Sequence, residues 1–126
     1  MLTTEISRDQ WVLWLDTFSK AHEGWIVEVD VLVPKLGAQE EITRLPLVGI
    51  TADVKDAESR VEVIAGGSLD ARVTRIINRP THLWLKAPEA PAHEAIAVES
   101  EDGTTTILHF HHVPPERQLR GRQGPS

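Results

Sequence analysis

The hydrophobic period of this chain changes once, at Gly24-Trp25, and that change limits what the chain can fold into. Before it, Trp11, Trp14, Leu15 and Phe18 fall at i, i+3, i+4 and i+7, the apolar stripe of an amphipathic helix. After it, Trp25, Val27, Val29, Val31 and Val33 alternate with Ile26, Glu28, Asp30 and Leu32, the two-residue period of a half-buried strand. No helical stripe returns. The expected fold class is therefore mainly β: an N-terminal helix packed on a curved antiparallel sheet or small barrel of about six or seven strands.

The helix is expected over 7–20. Ser7 and Gln10 have the spacing of a capping box, and Ile6 and Trp11 that of a hydrophobic staple. Lys20 and His22 suit the last turn, and Gly24 supplies the left-handed residue that stops it. The first strand, 25–33, ends at Pro34 and gives way to a loop over 35–41. A second strand follows over 45–54, with Val48, Ile50, Ala52 and Val54 on one face and Gly49 at a bulge or close approach. Lys55-Asp56-Ala57-Glu58-Ser59 reads as a hairpin connection to a strand over 60–65, closed by Gly66-Gly67. Strands over 72–78 and 81–86 are separated by Arg79-Pro80, and a stiff loop covers 87–92. Strands over 94–100 and 104–112 flank the turn Glu101-Asp102-Gly103. Residues 1–113 form one domain in this reading, and the Arg/Gly/Pro-rich tail 114–126 is expected to be disordered.

With 126 residues the chain can bury a core without staples. It has no cysteine, which excludes disulfides, thiolate metal sites and cysteine nucleophiles, and suits a reducing compartment. No apolar run has the length of a membrane helix, and Met1-Leu2-Thr3-Thr4-Glu5 lacks signal-peptide features, so the expectation is cytoplasmic with no membrane partner. Residues 1–113 hold 10 Lys and Arg against 18 Asp and Glu, while 114–126 hold 3 against 1. An acidic body repels nucleic acid unless a local basic patch overrides it.

Several stretches resemble an uncharacterised bacterial family, domain of unknown function family 5335. They are Ile6-Ser7-Arg8-Asp9-Gln10-Trp11, Phe18-Ser19-Lys20-Ala21-His22-Glu23-Gly24-Trp25, Leu45-Pro46-Leu47-Val48-Gly49-Ile50 and Glu99-Ser100-Glu101-Asp102-Gly103-Thr104-Thr105. The resemblance spans roughly 5–110 and implies a shared fold, without an activity or binding residues to carry over. The Arg-rich tail and the paired His111-His112 lie outside the pattern.

Three groups of residues are candidates for chemistry. His109 and His111 project from one face of a predicted strand, a spacing that can seat two imidazoles on a metal. The simpler reading puts Leu108 and Phe110 in the core and both histidines toward water, so no metal or cofactor is assigned. The stretch 71–88 carries Arg72, Arg75, Arg79 and Lys86 with no acidic residue. Alternation there places His82, Trp84 and Lys86 opposite Leu83 and Leu85. An indole beside cations serves a protein interface or stacks a base, and the competing reading packs Trp84 under the helix with the arginines paired to carboxylates. The acid pairs Asp53/Asp56 and Glu28/Asp30 read as turn and solvent residues. No nucleophile elbow, phosphate loop or dinucleotide fingerprint occurs. The sequence therefore points away from an enzyme, to a non-enzymatic binding or assembly module with a second copy or another protein as partner. Single-stranded nucleic-acid binding through 71–88 stands as the alternative, and a histidine metal site with hydrolytic activity as the least supported one.

Overall fold

The computed structural model describes the backbone of residues 2–55, 58–87 and 93–112, and the side chains of all of these except Leu2, Glu40, Leu69 and His93. The expected tail, part of the 55–59 connection and most of the 87–92 loop lie outside the described residues.

The period change is realised as one helix, α1 (Trp11–Ala21), preceded by a short 3-10 turn at Arg8–Gln10. Trp11, Leu15 and Phe18 are buried and Trp14 packs at the margin of the core, as the stripe requires. The capping box does not form: Ser7 makes no side-chain cap, and Gln10 N–H donates to the Ser7 carbonyl instead. What secures the helix start is the indole of Trp11, whose Nε1 donates to the Ile6 carbonyl at 2.8 Å inside the core. The helix ends at His22, and Gly24 turns the chain with φ +87°, a conformation costly for residues with a Cβ. Gly24 N–H then donates to Leu47 O, and Leu47 N–H to Trp25 O, stitching the helix–strand junction to the sheet.

Among the described residues eight strands make one open antiparallel sheet: β1 (Leu2–Glu5), β2 (Ile26–Val33), β3 (Gly37–Asp53), β4 (Arg60–Ala65), β5 (Val73–Asn78), β6 (Pro80–Ala87), β7 (His93–Ser100) and β8 (Thr105–His111). Their spatial order is β1-β6-β7-β8-β2-β3-β4-β5, so β1 and β5 are the edges. β1 is the strand that the sequence reading did not anticipate; its Thr3, Thr4 and Glu5 are exposed and give no burial pattern.

The larger departure is β3. The expected loop over 35–41 is a tight turn only, with Lys35 at φ +73° and Gly37 at φ +81°, and β3 is already paired with β2 from Gly37. Its first half pairs with β2 and its second with β4. Three register shifts, two against β2 and one against β4, each place an extra residue on β3. Such bulges bend a strand and increase its twist. They also move the core positions, so Ile42, Leu47 and Ile50 are buried at unequal spacing. Val48 is only half-buried and does not share the face of Ile50, which corrects the simple alternation; the expected bulge at Gly49 is present between Leu47 and Gly49. The bent sheet and α1 enclose one core of Ile6, Trp11, Leu15, Phe18, Val27, Val29, Ile50, Val61, Val63, Ile77, Leu83, Ile96, Val98, Leu108, Phe110 and their neighbours.

After β4, Gly66 allows a close approach: a Cβ there would meet Ala71 O at 2.5 Å. β7 and β8 form the hairpin expected from Glu101-Asp102-Gly103, with Asp102 accepting from Thr104 N–H. That hydrogen bond holds the Asp102 carboxyl below its usual range.

The Trp11 indole generates a test of this scheme. Trp11→Phe keeps an aromatic side chain, though a smaller one, but leaves the buried Ile6 carbonyl without its donor, and should lower unfolding stability by about 1–3 kcal/mol in urea titration. An unchanged midpoint would mean that packing alone sets the helix start.

Candidate functional site

The sheet has two faces, and only one is committed to the core. Leu83 and Leu85 on β6, Ile96 and Val98 on β7, Leu108 and Phe110 on β8 and Val27, Val29 and Val31 on β2 point inward. Strand alternation then puts the residues between them on the outer face. Glu5, Trp84, Ala97, Ile107 and Asp30 stand there in one cross-strand row. Trp84 therefore faces away from the core and from α1. It is half-buried and lies directly opposite Ala97, whose 2% exposure on an outer face shows that its neighbours cover it. The imidazole of His82 stacks on the Trp84 indole, with centroids 5.2 Å apart and planes 13° apart. Ile107 and Ala95, both half-buried, continue the apolar strip.

Around this strip His82, His109 and His111 each meet a carboxylate from a neighbouring strand. His82 Nδ1 lies 2.7 Å from Glu5 Oε2, and its Nε2 lies 3.9 Å from Glu99. His109 Nε2 is 3.4 Å from Asp30, and His111 Nε2 is 3.1 Å from Glu28, which also faces Arg44 at 3.7 Å. The Glu5 hydrogen bond raises the His82 pKa; desolvation opposes it, and the charges of Glu5 and then Glu99 add to the rise. His109 and His111 are thus spaced along the face, each with its own carboxylate. Among the described residues no three His, Asp or Glu side chains converge on one point where a metal could sit. Glu28 and Asp30 are engaged in these pairs, and Asp53 accepts from Lys55 N–H in a turn; Asp56 lies outside the described residues.

The basic stretch 71–88 does not form one surface. Arg72 is exposed ahead of β5. Arg75 points to the inner side of β5, where Nη1 meets Glu41 at 3.0 Å and the buried Nε has no acceptor among the described residues. Arg79 sits at the β5–β6 corner with φ +51°, its N–H donating to Ser59 O and its carbonyl accepting from Glu101 N–H. Lys86 stands on the outer face beyond Trp84. Three loops around Arg79 line a cleft of about 520 Å³ with Ser59, Arg60, Asn78, Glu58, Glu101 and Asp102. Two guanidinium groups and three carboxylates give it no dominant sign of charge, and it is not the place where Trp84 stands.

One arrangement the sequence reading missed lies at the helix end. The His22 ring stacks on Phe18 at 3.8 Å and tilts against Trp25 at 4.4 Å. Its Nδ1 contacts Phe18 O and its Nε2 contacts Glu94 Oε1, both at 2.8 Å. The i, i+4 spacing of Phe18 and His22 was a visible signal, but Glu94 is 72 residues away and nothing local announces it. The pair clamps α1 to β7.

The fold is an open antiparallel sheet carrying one helix, with a mixed apolar and ionic outer face. The chain belongs to the family of unknown function DUF5335, whose model matches residues 2–117. No curated protein and no solved structure matches it. No described helix is long and apolar enough to cross a membrane.

Arg75 also bears on assembly. A charge pointing inward from an edge strand is a common guard against edge-to-edge pairing. Arg75→Val, beside exposed Val73 and Ile76, should therefore add concentration-dependent association in sedimentation velocity. A variant no more associated than the parent would show that the edge is protected by something else.

Proposed function

We propose that this protein is a non-enzymatic binding or assembly module whose working surface is the outer face of β6, β7, β8 and β2. The observation that carries the reading is the placement of Trp84. A large indole faces away from the core, stands opposite the buried Ala97 and lies between an apolar strip and a rim of ion pairs. That is the composition of an interface centre, where Trp is enriched and a polar rim excludes water. The rim carries Glu5, Glu28, Asp30 and Glu99 against Lys86 and Arg44, so a protein surface suits it better than a polyanion. The arginines of 71–88, spread over β5 and its corner, lend the nucleic-acid alternative no continuous basic track. A second copy or another protein of the cytoplasm is the partner class; the cysteine-free sequence suits that compartment.

Trp84→Ala should weaken assembly or partner capture by more than about tenfold, since hot-spot truncations cost roughly 2 kcal/mol or more. Its melting temperature should stay within about 3 °C of the parent, as for a residue outside the core. Native mass spectrometry of untagged parent and variant, isolated gently, reads the first quantity and calorimetry the second. A large loss of stability, or a parent that is a bare monomer, would overturn the reading.

A further inference from the structure

The two edges of the sheet are secured in different ways. β5 has Ile77 in the core and Arg75 tied to Glu41 across the fold. β1 has no comparable anchor among the described residues: Thr3, Thr4 and Glu5 are all exposed, and the side-chain tie to the sheet is Glu5 to His82. Immediately after β1 the attachment becomes firm. Ile6 is 7% exposed, its N–H donates to Leu83 O at 2.8 Å, and its carbonyl accepts from Trp11 Nε1. An opening of β1 therefore stops at Ile6 and leaves α1 and the core in place.

What β1 covers is the edge of β6 at Trp84, Leu85, Lys86 and Ala87. Leu85 packs only partly into the core, and the residue opposite it is Thr4, short, polar and exposed. Thr4 is thus a poor match for Leu85 on the inner side. We propose that β6 is a strand-acceptor site masked by β1, and that it takes an extended segment of another protein with an apolar residue opposite Leu85 and a carboxylate opposite Trp84. The backbone of β6 would supply the ladder, Leu85 the contact that Thr4 leaves incomplete, and His82 the partner for the carboxylate. This site is the edge of β6 and does not depend on the outer face being an interface.

His82 makes the exchange sensitive to pH. It is faced by Glu5 from β1 and Glu99 from β7, with Trp84 stacked on it from its own strand. Its hydrogen bond to Glu5 raises its pKa, and the charges of Glu5 and Glu99 add to this. Docked β1 therefore favours the protonated ring. The contribution to docking is fully present below the ordinary imidazole range and is lost as pH rises through the raised value.

Amide hydrogen exchange on the full chain tests the opening, and a peptide tests the acceptor. Protection of β1, corrected for intrinsic base catalysis, should fall well below that of β7 and β8 and should drop further as pH rises through the His82 titration. In His82→Gln that drop should vanish. A peptide of residues 1–6 carrying Thr4→Val should saturably shift the Trp84 indole signal in NMR and abolish β1 protection, and adding Glu5→Gln to the peptide should weaken this at mildly acidic pH. β1 amides as protected as those of β7, or a saturating peptide that leaves them protected, would overturn the proposal. A protein that captures no partner through Trp84 yet yields β1 to the peptide separates this inference from the outer-face reading.

Discussion

The bend of β3 is the constraint on which the rest of the molecule depends. A seventeen-residue strand is too long to lie in one flat sheet of this size, and its two halves pair with different neighbours. The three extra residues on β3 turn β4 and β5 so that Val61, Val63 and Ile77 share a core with Val27, Leu108 and Phe110. α1 packs on β3 at the same place, joined through Gly24, Trp25 and Leu47. Burial of one face is then complete with a single helix. Among the described residues, the other face of β6, β7, β8 and β2 carries no covering layer.

Much of this was legible in the sequence where side chains alternate cleanly. The stripe of α1, the alternation of β2 and the β7–β8 hairpin each follow from a local pattern in the sequence. The reading failed where local rules were overruled. Ser7 and Gln10 have capping-box spacing, yet the Trp11 indole reaches the Ile6 carbonyl and secures the helix start without that box. β1 was invisible because its described side chains bury nothing; it exists through backbone pairing to β6, a partner some eighty residues away. The bulges of β3 break the two-residue period, so alternation assigned Val48 to the face that Leu47 and Ile50 occupy.

The candidate site was legible in part for the same reason. Alternation about Leu83 and Leu85 placed His82, Trp84 and Lys86 on one face, and alternation about Leu108 and Phe110 did so for His109 and His111. Which carboxylates meet those imidazoles depends on strand order. Glu5, Glu28, Asp30 and Glu99 come from three strands, and only the order β1-β6-β7-β8-β2 brings them alongside. The outcome differs in kind from a metal site. Each imidazole is matched to a carboxylate across a strand gap, which spreads charge along the face and keeps it from converging. Such pairs on a half-exposed surface add little stability, but they give the face alternating polarity around an apolar centre.

The basic stretch 71–88 shows why proximity in sequence is a poor guide to a charged surface in a sheet. β5 and β6 are consecutive and joined through Arg79 alone, yet β5 is the last strand in the spatial order and β6 the second. The left-handed turn at Arg79 sends the chain from the edge strand β5 to β6, beside the opposite edge, instead of into a hairpin. Arg72 and Arg75 consequently remain with β4 and β5, where Arg75 is turned inward to Glu41, while Trp84 and Lys86 go to the outer face beside Ala97 and Ala95. A run of four cations without an acid thus becomes an exposed arginine ahead of β5, an inward-pointing edge residue, a corner residue and one rim lysine. The indole that lies among the arginines in sequence is set instead among small apolar residues and imidazole–carboxylate pairs.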